Sequence, residues 1–399
     1  MKVIILTSEP FPNGMAATNR IKCYARALTE GGINCEVVIF RRTEVYGRPP
    51  KNTIGTGTSS GIPYRYIGKT PLRDSNVFIR QLNDIRDIIN TADYLRKNLK
   101  EGDVLFLYMG KDLGLTLKFI KIAHKKGAFC VRDLCELPYG TGTEDKKKTL
   151  LRKKVLEKQI PEFDGIISIS DTLSDLAKKY AQPGCKHIKV PIMVDFDKYD
   201  IPDDSEKAEV PYIFHSGTLY QQKDGILGMI EAFGKARRKI RENIAFVSTG
   251  TLDTSPHKNE ISDLIRKYHL EGNISFTGYL SCKELQDYMS KASLVIINKY
   301  CNQQNRYCFS TKLGEYLAAS KPVVITNVGE AVNWLENKKS AYIVEPEDTD
   351  ALADAIVQVF THQEESRMVG IAGKEVCRKC FDYRNWSRPL AEFMNQLGK

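Results

Sequence analysis

The feature that most constrains this chain is a repeated alternation. A short, almost wholly apolar run is followed by a glycine- or proline-bearing loop, and then by residues whose apolar positions recur at helical spacing. Val3 to Leu6 leads into Ser8 to Gly14 (SEPFPNG). A helix follows from about Thr18 to Glu30, apolar at Ile21, Tyr24, Ala25 and Leu28 and closed by Gly31-Gly32, and then a second strand at Cys35 to Phe40. Strands apolar on both faces are covered on both sides, and strand–helix–strand units join them with right-handed crossovers into a parallel sheet. The alternation continues with helical material at 74–99, a strand at Val104 to Tyr108, a helix near 113–126, and strands at Ala128 to Arg132, Gly165 to Ser170 and His187 to Val190. It begins afresh at Tyr212 to His215, with a helix through Ile226, Met229, Ile230 and Phe233. Further strands lie at Ile244 to Val247, Ile274 to Phe276, Leu294 to Ile297, Val323 to Ile325 and Ala341 to Val344. The fold class is α/β.

A chain of 399 residues exceeds one compact core and predicts two domains. Residues 1–198 form the first, 199–380 the second, and 381–399 a C-terminal segment that returns to the first. Pro191 to Pro202 reads as an extended linker; its Asp195-x-Asp197 spacing lacks a third ligand, so no metal site is expected. The first strand is too short for a secretory h-region and no run is long enough to span a membrane. Ten cysteines without repeating spacing, one CxxC at Cys377 to Cys380 among them, read as reduced thiols in a cytoplasmic protein.

Charge divides unevenly. Residues 1–198 hold 34 Lys and Arg against 22 Asp and Glu, whereas 199–399 hold 25 against 27. A basic first half implies an anionic partner. Residues 146–158 (KKKTLLRKKVLEK) concentrate seven basic residues beside Leu150, Leu151, Val155 and Leu156. That pattern is either a solvated helix face or a basic amphipathic helix for an anionic membrane surface. No aromatics are interleaved with these lysines, so nucleic acid is not an expected partner.

Arg306 to Thr326 (RYCFSTKLGEYLAASKPVVIT) carries the candidate site. Ser310 and Thr311 are placed to cap a helix whose apolar side is Leu313, Tyr316 and Leu317, and Lys321-Pro322 stops it before a buried strand. The opening of such a helix offers backbone N–H groups and a positive dipole end. With Lys312 in its first turn it suits a phosphate. Glu315, about one turn on, is placed to accept two hydrogen bonds from a ribose diol. Read alone, the stretch is equally an ordinary helix with an exposed Lys-Glu pair.

Other loops sit at the carboxyl ends of predicted strands, where ligands of parallel sheets bind. They are Pro12-Asn13-Gly14 and the run Ser216-Gly217-Thr218-Leu219-Tyr220-Gln221-Gln222-Lys223-Asp224-Gly225, together with Gly250, Gly278-Tyr279 and Asn298. The glycines leave room for a base and ribose. Asp133 and Glu136 lie in a further loop as solvated acids, and Glu136 is the candidate for acid–base work there. Gly55 to Gly61 (GTGTSSG) has its third glycine one position late for a dinucleotide fingerprint and reads as a flexible loop. Asp348 and Thr349 read as a helix cap rather than a metal motif.

These pieces, above all SEPFPNG, SGTLYQQKDG and STKLGEYLAASKPVV, resemble the GT-B glycosyltransferases, two Rossmann-like doubly wound domains facing across a cleft. Within them they resemble the retaining family 4 enzymes of bacterial polysaccharide assembly. The resemblance implies transfer of a sugar from a nucleotide diphosphate sugar to a glycan or lipid-linked acceptor in surface polysaccharide synthesis, with no metal and no cofactor beyond the donor. It implies a donor held by the second domain and an acceptor by the first; the protein is expected in the cytoplasm, peripheral to the inner face of the membrane if residues 146–158 dock there. Lys223 would meet the diphosphate, Gly217 and Thr218 would pass close to it, and Thr311 and Lys312 would offer N–H groups to it. Glu315 would bind the ribose, Gly14 would approach the diphosphate across the cleft, and the loops at 41–63 and 133–145 would select the acceptor. Two departures stand out: Tyr307 replaces the first of the family's paired glutamates, a place Arg306 could fill, and Thr218 replaces a basic residue. A nucleotide-sugar epimerase of the same architecture, needing no acceptor, and a membrane-surface module without catalysis are the competing readings. A dehydrogenase is disfavoured, since no well-placed GxGxxG exists.

Overall fold

The computed structural model describes residues 1–108, 112–140, 145–199 and 208–398. The chain divides into two units, Met1–Val194 with Tyr383–Lys399, and Asp195–Asp382. These boundaries fall a few residues from those expected at 198 and 380.

In the first unit β1 (Lys2–Thr7) leads through α1 (Ala16–Glu30) to β2 (Asn34–Ile39), the hairpin β3 (Thr56–Ser59) and β4 (Ile62–Tyr66), and α2 (Val77–Asn98). Then come β5 (Val104–Tyr108), α3 (Leu113–Lys125), β6 (Phe129–Leu134), α4 (Lys146–Lys158), β7 (Gly165–Ser168), α5 (Asp171–Tyr180) and β8 (Lys186–Lys189). The sheet order is β3-β4-β2-β1-β5-β6-β7-β8, parallel except at the hairpin. From β1 the chain first moves toward β2 and later toward β8. Right-handed crossovers therefore put α1 on one sheet face and α2 to α5 on the other.

Gly55 to Gly61 is no flexible loop. Ser59 pairs with Ile62, leaving Ser60 and Gly61 as a two-residue turn with φ of +49° and +79°. Both values suit the type I′ turn that matches strand twist. Ile62, Tyr64 and Tyr66 alternate buried with exposed Pro63 and Arg65, the period of a half-buried strand.

Asp133 is likewise no solvated loop acid. It closes β6, buried, and receives Arg20 through Nε and Nη2 at 3.0 Å each and the Tyr24 hydroxyl at 2.7 Å. Residues 141–144 of the expected acceptor loop lie outside the described residues. In α4 only Val155 and Leu156 are buried and Leu150 is exposed, so the four apolar positions form no single packed stripe.

The second unit opens with α6 (Phe196–Tyr199), a helical turn within the stretch expected to be an extended linker; the rest of that stretch, from 200, lies outside the described residues. Phe196 and Tyr199 are buried, and that burial holds the turn against its neighbours. There follow β9 (Tyr212–His215), α7 (Gln221–Asp224), α8 (Ile226–Arg237), β10 (Ala245–Ser248), α9 (Lys258–Tyr268), β11 (Ile274–Phe276), α10 (Cys282–Lys291) and β12 (Leu294–Ile297). The unit continues through α11 (Gln303–Arg306), α12 (Thr311–Ala318), β13 (Val323–Thr326), β14 (Tyr342–Val344), α13 (Thr349–Thr361) and α14 (Gln363–Val376). Its sheet is parallel with order β11-β10-β9-β12-β13-β14. Asp348 caps α13 through two backbone N–H groups. Finally α15 (Ser387–Gln396) joins the first unit, where Leu390, Phe393 and Met394 share a core with Tyr24 and Leu28 of α1.

Candidate functional site

The strand order of the second unit reverses between β9 and β12, and the site forms at their carboxyl ends. After β9 the backbone turns through Gly217, where a side chain would not fit: a Cβ would lie 2.5 Å from both His215 Nε2 and Lys312 Nζ. Lys312, in the first turn of α12, reaches Asp224 at the end of α7, Nζ to Oδ1 2.6 Å. The other oxygen of Asp224 accepts from the Thr218 backbone N–H (3.0 Å) and hydroxyl (2.7 Å), tying the turn after β9 to α7. Lys299, past the end of β12, is buried and donates to the Lys223 carbonyl at 3.1 Å.

Buried Lys299 and partly buried Lys312 thus flank one buried carboxylate. Burial alone would raise Asp224; Lys312, with His215 and Lys299, outweighs it and holds the carboxyl well below its usual range. Burial pushes Lys312 down, with Asp224 opposing. His215 is fully enclosed and pushed down to about 4, chiefly by burial and then by Lys312. Its Nδ1 faces the Ile296 carbonyl at 3.1 Å, which makes Nδ1 the protonated nitrogen; Nε2, buried, has no hydrogen-bond partner among the described residues. The cluster sets two lysines against one carboxylate in a poorly solvated place, beside a histidine that burial keeps neutral at pH 7.

Ser310 occupies the N-cap position of α12, but its side chain makes no capping bond, unlike the cap predicted. The first-turn N–H groups are therefore left uncapped by a side chain. Leu313, Tyr316 and Leu317 are fully buried as expected, and the Tyr316 hydroxyl accepts from the Ser216 N–H at 2.7 Å. That bond fixes α12 against the turn after β9. Glu315 accepts from the Tyr199 hydroxyl of α6 at 3.1 Å, so its carboxylate is oriented. Asn298 donates to the Gly225 carbonyl at 2.8 Å. Asn302 and Asn305 both donate to the Gln222 carbonyl, at 2.8 and 3.2 Å, fastening the 300–306 segment to α7.

The structure therefore gathers Gly217, Thr218, Thr311, Lys312 and Ser310 around one turn, with Glu315 one helical turn away. Lys223 sits on α7 with its side chain exposed. Gly250 and Gly278 pair through reciprocal backbone hydrogen bonds of 3.1 Å, and Tyr279 beside them is 64% exposed. Sequence reasoning missed His215, Lys299 and the role of Asp224. A histidine closing an apolar strand and a lysine just after another were signals in plain view, but only tertiary packing turns them toward one point.

Gly14 and Glu136 belong to the first unit. A Cβ on Gly14 would collide with Thr18, whose hydroxyl donates to the Pro10 carbonyl at 2.6 Å, and Asn13 is tied to Asn52. Glu136 is exposed; with burial as the larger cause, it helps raise the carboxyl of Glu9, a residue sequence reasoning passed over. Also in that unit, the ligand atoms of His124, Cys130 and Asp164 lie within 4.8 Å of one another. Burial pushes the Cys130 thiol well up, and Asp164 already accepts from the Cys130 N–H at 2.7 Å, so this group suits a hydrogen-bonded structural contact better than a metal.

Two parallel-sheet units of this topology define the GT-B fold, which solved structures share over the whole chain. One is sucrose-phosphate synthase from Thermosynechococcus elongatus, with TM-score 0.73 and 16% identity, covering 100% of this chain and 99% of that one. Another is Anabaena HepE in complex with UDP and glucose, with TM-score 0.72 and 12% identity, covering both chains fully. Residues 197–376, which hold the whole lysine–aspartate cluster, match the family described as glycosyl transferases group 1. A GDP-mannose-dependent alpha-(1-6)-phosphatidylinositol monomannoside mannosyltransferase of Mycobacterium tuberculosis is 23% identical over 218 residues, 51% of this chain and 54% of that protein. The match thus spans about half the length of this curated relative.

Proposed function

We propose that the protein transfers a glycosyl group from a nucleoside diphosphate sugar to a glycan or lipid-linked acceptor, with retention of anomeric configuration, in surface polysaccharide synthesis. The observation that carries this reading is the poorly solvated cluster of Lys299, Lys312 and Asp224 beside Gly217 and the uncapped mouth of α12. A diphosphate fits there as charge and as hydrogen-bond acceptor. Breaking the sugar–phosphate bond builds negative charge on the leaving diphosphate, and donors already in place lower that barrier; losing one such donor costs about 3–4 kcal/mol in comparable sites. Lys312 and the α12 N–H groups supply fixed donors, and Lys223 an exposed one on α7. Glu315, oriented by Tyr199, suits the ribose hydroxyls.

The named activities of the relatives favour a sugar nucleotide as donor, and that of the mycobacterial protein a lipid-bearing acceptor. The acceptor is assigned to the first unit, with Glu136 and its neighbour Glu9 the candidate acid–base pair. The lysines among the donors favour a mechanism without metal or further cofactor, on the cytoplasmic face of a membrane. The test is a calorimetric panel of UDP, GDP, ADP and CMP, followed by assay of the sugar nucleotides of whichever binds, with candidate acceptors. Transfer that persists in EDTA supports the reading. Isomerised donor without acceptor would point to an epimerase and overturn it.

A further inference from the structure

Helix α2 exposes an apolar stripe along its N-terminal part, while its C-terminal part buries Ala92 and Leu95. Its outward residues Phe78, Leu82, Ile85 and Ile89 are 77, 65, 58 and 51% exposed, while Asp87 and Thr91 on the inward side are buried. Asp87 meets Arg42 at 3.3 Å, so a polar anchor holds the helix to the unit while its apolar side faces outward. The 4-3-4 spacing of these four residues makes one stripe about 16 Å long. Exposed Leu72, just before the helix, extends it; a backbone bridge between Glu44 and Leu72 brings exposed Val45 alongside.

The charge on the neighbouring helix is one-sided. Helix α3 packs beside α2 on the same face of the sheet and contains no acidic residue from Leu113 to Lys125. A groove of about 780 Å³ along α3 is lined by Lys118, Lys121, Lys125 and Lys126, together with Leu117 and Ile122. Arg96, also lining it, is taken by Asp93 at 2.5 Å; none of the four lysines meets a carboxylate among the described residues.

We propose that this surface docks the protein on an anionic phospholipid bilayer, with the α2 stripe entering the headgroup–acyl boundary and the α3 lysines meeting lipid phosphates. An apolar stripe flanked by cations is the chemistry of an interfacial helix. A second copy fits less well. A stable dimer needs about 20–30 residues a side, the stripe with its two neighbours offers six apolar side chains, and a symmetric pair would add a second lysine-lined groove of the same sign. The assignment also moves the membrane contact from α4, where sequence alone suggested it, to α2 and α3.

The test is co-sedimentation of the full chain with phosphatidylcholine vesicles, with and without phosphatidylglycerol, at low and high salt. The chain should sediment with the anionic vesicles only, and high salt should release it. The double variant Leu82→Glu/Ile85→Glu should lose about tenfold or more of the bound fraction. Lys118→Glu/Lys121→Glu should abolish the preference for anionic lipid. All four positions lie outside the nucleotide cluster, so both variants should keep the wild-type melting temperature and nucleoside diphosphate affinity, which separates this proposal from the functional one. Failure to bind anionic vesicles, binding unchanged by Leu82→Glu/Ile85→Glu, or a dimer in sedimentation velocity that the same variant dissolves would each overturn it.

Discussion

A single methyl group is enough to break this site. At position 217 it would have to displace His215 Nε2 or the Lys312 ammonium, and neither can yield: the imidazole is walled in on every side and the lysine is pinned by Asp224. Gly217→Ala should lower nucleoside diphosphate affinity by tenfold or more while costing about 1–3 kcal/mol of stability, read by calorimetry and urea unfolding. His215 adds a pH signature. Its native value near 4 lies below the ordinary 6.5, so between these values the unfolded chain takes up a proton that the folded one refuses. Stability therefore falls as pH drops from 6.5 toward 4, by about 3 kcal/mol at most. The urea midpoint should show this slope in the wild type and a flatter one in His215→Asn. Asp224, held below the carboxylate range, loses its contribution only at still lower pH, so the two effects separate.

At the scale of elements, α12 is placed by bonds from three directions: Tyr316 to the turn after β9, Lys312 to α7, and Glu315 to α6. Glu315→Ala should weaken binding of ribonucleoside diphosphates and erase any preference over their 2′,3′-dideoxy analogues; a preference that survives would remove Glu315 from the ribose. In the first unit, Arg20 links α1 to β6 through Asp133, and Arg20→Ala strands a buried carboxylate. It should cost about 3–5 kcal/mol in chemical denaturation. What was legible in the sequence at this scale was periodicity. The apolar runs and their intervening helices fell within a few residues of the observed elements, because burial on one stripe or both faces is written locally. The short helix α6, the hairpin at 56–66 and the burial of Asp133 were not read correctly. The hairpin carried its own alternation, obscured by a glycine run that drew attention to fingerprints. The fates of α6 and Asp133 depend on partners more than a hundred residues away, Glu315 for Tyr199 and Arg20 for Asp133.

At the scale of the whole molecule, the same logic explains which part of the site could be read in advance. Residues clustered in one stretch, Ser310 to Glu315, could be proposed together from sequence. Those contributed singly by distant strand ends, His215 and Lys299, were not. The expectation that Lys223 meets the diphosphate is proposed together with Lys299 and Lys312, since its side chain is exposed beside them on α7. Lys223→Ala should therefore cut turnover by orders of magnitude with an unchanged melting temperature; near-normal turnover would exclude it. The claim on which the rest depends is that the cluster around Lys312 grips a diphosphate. Titration calorimetry of the intact chain and of Lys312→Met with a nucleoside diphosphate and with the bare nucleoside tests it most directly. The wild type should bind the diphosphate at least tenfold more tightly, and the variant should lose most of that difference. Equal affinities in the wild type, or a difference that the variant keeps, would contradict it.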